Sequence, residues 1–181
     1  MNPTMKTIFE RRAVRKYLNI KVSRDVIEQL LDAARMAPSA MNRQPWSFYI
    51  LTGKGIVDSF SQQITKAAAG HYHLGFVSGV ISKNYDVFHG APAVVFITAP
   101  KDNEWAQLDV GMCAQNFMLA AKSLGLDTCP VGFGKFVENT EAVKQLGLSG
   151  NEKVLLSITF GYGNETPELH SRKRSNVVYI D

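Results

Sequence analysis

The surplus of positive charge in this sequence sits in two places. Arg11, Arg12, Arg15 and Lys16 lie in RRAVRK, and Arg172, Lys173 and Arg174 lie in SRKRS towards the other end. Removing these seven from the formal charge of +4 leaves −3, so the rest of the chain is slightly acidic. A nucleic-acid surface spreads its cations along a stripe and interleaves aromatics, whereas a phosphomonoester needs several cations at one point. Two tight groups suit the small dianion. Read as a helix end, Arg11 and Arg15 are four apart and project to one side, with Arg12 in reach, and a planar guanidinium pairs bidentately with phosphate. The plainer alternatives are a solvated basic helix end for the first group and a solvated basic tail for the second.

A second candidate is the polar loop in AARMAPSAMNRQPWSFYIL. Pro38 ends the preceding helix, Ser39 and Asn42 can hydrogen-bond locally to hold an irregular backbone, and the Gln44 amide offers a donor and an acceptor in one plane. Such a loop suits the edge of a flat heterocycle; an ordinary helix-to-strand connection is the alternative.

These groups need elements to position them. Thr4 is expected to cap a first helix with Met5, Ile8 and Phe9 on one face, and Ser23 a second whose Val26, Ile27, Leu30, Leu31 and Ala34 keep helical spacing. WSFYILT predicts a strand, residues 56–69 a helix, and APAVVFITAP a strand buried on both faces. A long helix over 105–124 follows from Val110, Cys113, Ala114, Phe117, Met118, Ala121 and Leu124, with Gly125 as its stop. DTCPVGF predicts a short strand and turn, Thr140 the start of a short helix ended by Gly147, and KVLLSITFGYG the last strand. Residues 70–90 have no clean period and read as a mobile, partly helical loop. Strands and helices thus interleave, which argues a layered α/β or α+β domain. No GxGxxG follows a strand and no GxxxxGK[ST] occurs, so a Rossmann or P-loop reading is disfavoured.

With 181 residues, 45% of them hydrophobic, the chain is long enough for one core and one domain, residues 1–181. MNPTMKTIFERR has no apolar export region and no apolar run reaches membrane length, so a cytoplasmic protein with no membrane or nucleic-acid partner is expected. Cys113 and Cys129 lack a CxxC spacing and read as reduced core thiols.

Taken together, RRAVRKY, AARMAPSAMNRQPWSFYIL, FHGAPAVVFIT, LDVGMCAQNFMLAAKSLGLDTCPVGF and the closing GYG…RKR resemble, in order, the nitroreductase family of flavin-dependent oxidoreductases. APSxxNxQPW is the specific element. The resemblance implies an α+β fold, a central and mostly antiparallel sheet flanked by helices, and an intertwined homodimer with FMN held noncovalently at the subunit interface. It further implies reduction of a small electron-poor acceptor (a nitroaromatic, quinone or activated alkene) by NADH or NADPH, through hydride transfer with ping-pong kinetics and no catalytic side chain. By the same resemblance, Arg11, Arg12, Arg172 and Arg174 hold the FMN phosphate, and Arg15 lies near the flavin N1 and C2 carbonyl. Pro38, Ser39, Ala40, Met41 and Asn42 pack along the ring, in part from the partner subunit. Gln44 contacts ring or ribityl, and Pro130, Val131 and Gly132 form the turn near N5 and O4.

Two positions depart from the family pattern. Ala13 stands at a phosphate-site position where the family usually has serine, which removes one hydroxyl contact, and Val131 stands where some relatives carry an acidic residue. The aromatics His71, Tyr72, His73, Phe76, Tyr85, Phe88 and His89 are placed either against a flat acceptor or in ordinary packing, and a metal at His71 and His73 is not expected for want of a third ligand. A nonenzymatic FMN-binding protein and, supported only by a pI of about 9.1, a basic nucleic-acid-binding module are the alternative functions.

Overall fold

A computed structural model describes residues 1–71, 85–173 and 175–180. Its order is α1 (Pro3–Glu10), α2 (Arg24–Arg35), β1 (Ser47–Thr52), α3 (Lys54–His71), β2 (Ala93–Pro100), α4 (Ala106–Ser123), β3 (Asp127–Val131), α5 (Val143–Leu146) and β4 (Glu152–Gly161). Two 3-10 segments, Ala40–Asn42 and Gly132–Asn139, lie between them.

The strands form one antiparallel sheet in the order β1-β2-β4-β3. β2 is central, and its continuous apolar run is buried on both faces as predicted. Ala93, Val95, Ile97 and Ala99 point into a core shared with α2 and α4, while Val94 and Phe96 point into the opposite core with α3 and the Gly132–Asn139 segment. This is the two-residue alternation of a strand expressed between two apolar layers. Phe96 is fully buried against Phe60 and Phe88, so Phe96→Ala would cost roughly 3–5 kcal/mol.

α2 is capped as expected, with Ser23 Oγ accepting the Val26 N–H at 3.3 Å and Asp25 in the first turn. α4 buries eight residues and ends at Ser123, with Leu124 as its C-terminal cap and Gly125 turning away at φ 77°. α1 differs from expectation. Asn2 rather than Thr4 is its cap, accepting the Met5 N–H at 2.9 Å, because Pro3 fills the first helical position with its pre-set φ and missing N–H. Thr140 likewise does not begin a helix; it follows the Gly132–Asn139 segment, and α5 starts at Val143. Both cysteines are free and buried, as expected.

The predicted basic helix end is also corrected. α1 stops at Glu10, and Arg11 already has ψ 129°. Residues 11–18 instead form an extended strap. On one side Val14 N–H bonds to Thr128 O at 3.0 Å, in a parallel bridge of Ala13 with Thr128; on the other, Leu18 N–H bonds to Tyr162 O and Asn164 N–H to Lys16 O, both at 2.8 Å. Gly163 lets the strap's neighbour lie close to β3, since a Cβ there would fall 2.4 Å from Asp127 Oδ2.

Of the aromatics in the 70–90 segment, Phe88 is fully buried, and Tyr85 meets His89 edge-on at 5.9 Å. Tyr72, His73 and Phe76 lie outside the described residues, as does the side chain of His71. No helix among the described residues is long and apolar enough to cross a membrane.

Candidate functional site

The strap decides where the basic residues sit. Held between β3 and the segment after β4, it places Arg11 and Arg15 near Cys129 in the middle of β3; of the expected Pro130–Gly132 turn, Pro130 and Val131 instead continue β3, paired with Ile158 and Ser157, and the chain turns at Gly132. Arg15 is fixed by its backbone, whose N–H donates to Glu165 Oε1 at 2.5 Å. Arg172 returns from the tail to stand near Arg11. Arg174 lies outside the described residues.

Arg11 carries the electrostatic signature of the cluster. Partial burial is the main influence lowering its pKa, and the neighbouring Arg12 and Arg172 charges lower it further. Among the described residues no carboxylate is ion-paired with Arg11, Arg12, Arg15 or Arg172. Arg12 Nη1 bonds to Phe9 O at 2.6 Å and Arg172 Nη1 to His170 O at 2.6 Å, both neutral acceptors. Such a group of cations suits a small anion.

The nearby His89 has its pKa lowered, first by burial and then by the Arg15 charge, and Cys129 has its thiol raised by burial. Gly132 is exposed, and a Cβ on it would meet open space.

The loop after α2 is built from strained residues. Met41, Asn42 and Gln44 have φ of 54°, 53° and 46°, each in the left-handed region that costs a non-glycine residue on the order of 1 kcal/mol or more. Local bonds hold the shape: Asn42 N–H to Ser39 O at 2.9 Å, Arg43 N–H to Ala40 O at 3.1 Å, Gln44 N–H to Ser39 Oγ at 2.9 Å, and Gln44 Nε2 to Asn42 Oδ1 at 3.1 Å. Pro38 and residues 41–44 are exposed, and Ser39 and Ala40 half-buried. Ser39 and Asn42 thus play the local role read from their types.

The predicted site residues therefore fall into two groups. The strap and tail bring Arg11, Arg12, Arg15 and Arg172 near one another, and Ala13 bridges Thr128 of β3, the strand that holds Pro130 and Val131 and runs into Gly132. Among the described residues no hydrogen bond or ion pair joins them to the 38–44 loop of the same chain. A groove of about 710 Å³ between the start of α2 and the end of β1, lined by Val22, Ile27, Leu31 and Ile50 among others, shares no residue with either group.

Two residues were not singled out from sequence. Glu165 holds the strap at Arg15. Asp109, on α4, accepts the Ala40 N–H at 3.0 Å. The signal for Asp109 was available: it is the one carboxylate at a core-facing position of an otherwise apolar helix stripe with Ala106, Val110 and Cys113.

The Nitroreductase family model matches residues 8–162, and the chain belongs to that family. A relative, the 4-nitrobenzoate reductase of Pseudomonas putida, is 28% identical over 200 residues, covering 91% of this chain and 87% of that protein. Crystal structures of nitroreductases with bound FMN from Desulfitobacterium hafniense and Bacteroides fragilis match the whole of this chain and of their own, each at a TM-score of 0.89, with 26% and 24% identity. The nitroreductase fold expected from sequence, α+β with a sheet flanked by helices, is thus the one observed.

Proposed function

We propose that this protein is a homodimeric oxidoreductase that binds FMN noncovalently and uses NADH or NADPH to reduce a small electron-poor acceptor such as a nitroaromatic, quinone or activated alkene. The observation that carries the reading is that Arg11, Arg12 and Arg172, drawn from both ends of the chain, lie near enough to lower the Arg11 pKa while no carboxylate is ion-paired with them among the described residues. Likeness to FMN-bound nitroreductases supports the identity of the anion.

The residues present fit the cofactor. Arg11, Arg12 and Arg172, with Arg174, would hold the phosphate by charge-assisted hydrogen bonds, and Ala13 contributes backbone but no hydroxyl there. Pro38, Ser39, Ala40, Met41 and Asn42 would pack along the ring system, in part from an adjoining subunit, and Gln44 would contact ring or ribityl. Pro130 has no N–H and Val131 is paired with Ser157 in the β3–β4 ladder, so Gly132 is the donor that the end of β3 can offer, and it leaves room for the backbone to come close. Arg15 would place a fixed cation where negative charge collects on reduction, which would favour the reduced form. Bound there, FMN supplies two-electron hydride chemistry between nicotinamide and acceptor. Nicotinamide and acceptor occupy the same face in turn, so the kinetics are ping-pong. The chain contributes orientation, exclusion of water and charge, and no side chain acts as nucleophile.

The homodimer is supported by apolar surface that a second copy would cover. Met5, Ile8 and Phe9 of α1 are 41%, 43% and 52% exposed, and Val178, Tyr179 and Ile180 of the tail are each 84% exposed or more. Light scattering should give twice the mass of one chain.

The test of the activity is an anaerobic absorption spectrum. The purified protein should be yellow and should bleach on adding NADH or NADPH, then recover with an added nitroaromatic or quinone. A yellow protein that neither nicotinamide bleaches would be a flavin store, and a colourless one that takes up no FMN would defeat the reading altogether.

A further inference from the structure

The hydrogen bonds within residues 39–44 fix the shape of the loop but not its place. Among the described residues, one hydrogen bond ties the 39–44 backbone to another element: Ala40 N–H to Asp109 Oδ1, at 3.0 Å. Asp109 is 2% exposed, and its Oδ2 is buried with no partner among the described residues. A carboxylate half-satisfied in a core is an expensive way to accept one N–H. Two turns further along α4, Asn116 Nδ2 donates to Ala33 O at 3.2 Å, near the end of α2. One face of α4 therefore grips the chain on both sides of the α2 terminus: at Ala33 before it and at Ala40 beyond it.

We infer that Asp109 is a positioning residue, which fixes the strained 39–44 loop on α4 in the place from which it meets the flavin ring. The inference rests on the reading of that loop as ring-binding. Its geometry, the anchoring of Ala40, stands on this chain alone. Asp109 touches no reacting atom; it acts through Ala40 and through the loop's internal bonds to Asn42, Arg43 and Gln44. Asparagine at 109 would keep an oxygen for the Ala40 N–H while removing the charge, whereas alanine would remove the acceptor.

The test uses hydrogen exchange on the cofactor-free protein and FMN titration on the same samples. Asp109→Ala should speed exchange of the Asn42, Arg43 and Gln44 amides at least tenfold, weaken FMN about tenfold and alter the visible circular dichroism of bound flavin; Asp109→Asn should stay within about threefold of the parent in each. Ala40→Pro removes the donor from the loop side without touching α4, so it keeps the question open to measurement if Asp109→Ala does not fold. It should reproduce the loosened loop, and in a folded double variant the effects should not add. Loop amides as protected in Asp109→Ala, or in Ala40→Pro, as in the parent would overturn the inference. A parent protein that binds no FMN, with a loop that still loosens in both variants, would support the anchor and defeat the flavin reading instead.

Discussion

Arg11 and Arg172 come from opposite ends of the chain and stand close enough that the charge of Arg172 lowers the pKa of Arg11. The strap of residues 11–18 makes this meeting possible. It is pinned to β3 at Thr128 and to the segment after β4 at Tyr162 and Lys16–Asn164, so the departing tail leaves the sheet beside it. Like charges drawn together, Arg11 half-buried and Arg172 exposed, with no carboxylate ion-paired to either among the described residues, are stabilised by an anion.

The cofactor-free protein should therefore respond to inorganic phosphate. Once phosphate exceeds its dissociation constant several-fold, stabilisation of roughly 1 kcal/mol is expected, a rise of about 2–4 °C in melting temperature. Arg11→Ala should abolish the rise in a thermal-shift measurement, and chloride at equal ionic strength should not reproduce it.

Relieving strain at Met41 should stabilise the fold. Its side chain is 84% exposed and its φ is 54°, so glycine loses little packing and gains an allowed conformation. Met41→Gly should raise the stability of the cofactor-free protein by up to about 1 kcal/mol in urea unfolding, offset in part by glycine's freedom in the unfolded chain.

The pH dependence of stability should be legible at Glu152. Its carboxylate accepts from Tyr49 Oη at 2.7 Å, Thr98 Oγ1 at 3.1 Å and Ser149 N–H at 3.2 Å. Burial opposes its ionisation, but these bonds outweigh burial and hold its pKa below 4.5. The folded state prefers the carboxylate, so this contribution is present above pH 4.5 and fades as pH falls through the lower folded value. Tyr49 is pushed up from 10 to about 12, chiefly by its bond to Glu152 and then by burial. Its contribution is intact below pH 10 and lost as pH rises towards 12. Tyr49→Phe should remove the alkaline step, shrink the acid one and cost about 1–2 kcal/mol at neutral pH.

The thiols should be inert until the protein unfolds. Burial pushes Cys113 up to about 12 and raises Cys129, which leaves little thiolate at pH 8. A disulfide-exchange reagent should titrate almost none in the native state and both in denaturant.

The local signals in the sequence were read correctly where the causes are local. Ser23 caps α2 through its own neighbours, the β2 run is buried on both faces, and Gly125 ends α4 at positive φ. Local spacing puts RRAVRK at a helix end, whereas its extended conformation is set by Thr128 and Tyr162, partners more than a hundred residues away that no local period reveals. The Gly132–Asn139 segment was missed for a related reason: Gly134 packs so closely that a Cβ would fall 2.0 Å from Ser157 Oγ, a tertiary constraint rather than a propensity. At the site, the basic clusters and the polar loop were visible as residue types. That Arg11 meets Arg172, and that Asp109 holds Ala40, follows from chain topology.

The most direct measurement compares FMN with riboflavin, which differs only by the phosphate, in the parent and in Arg11→Ala/Arg172→Ala. Charge-assisted hydrogen bonds worth roughly 1.5–3 kcal/mol each imply that the parent binds FMN at least about 100-fold more tightly than riboflavin, and that the double variant, still folded, loses most of that preference. Equal affinity of the parent for the two flavins, or an undiminished preference for FMN after both arginines are removed, would contradict the phosphate assignment.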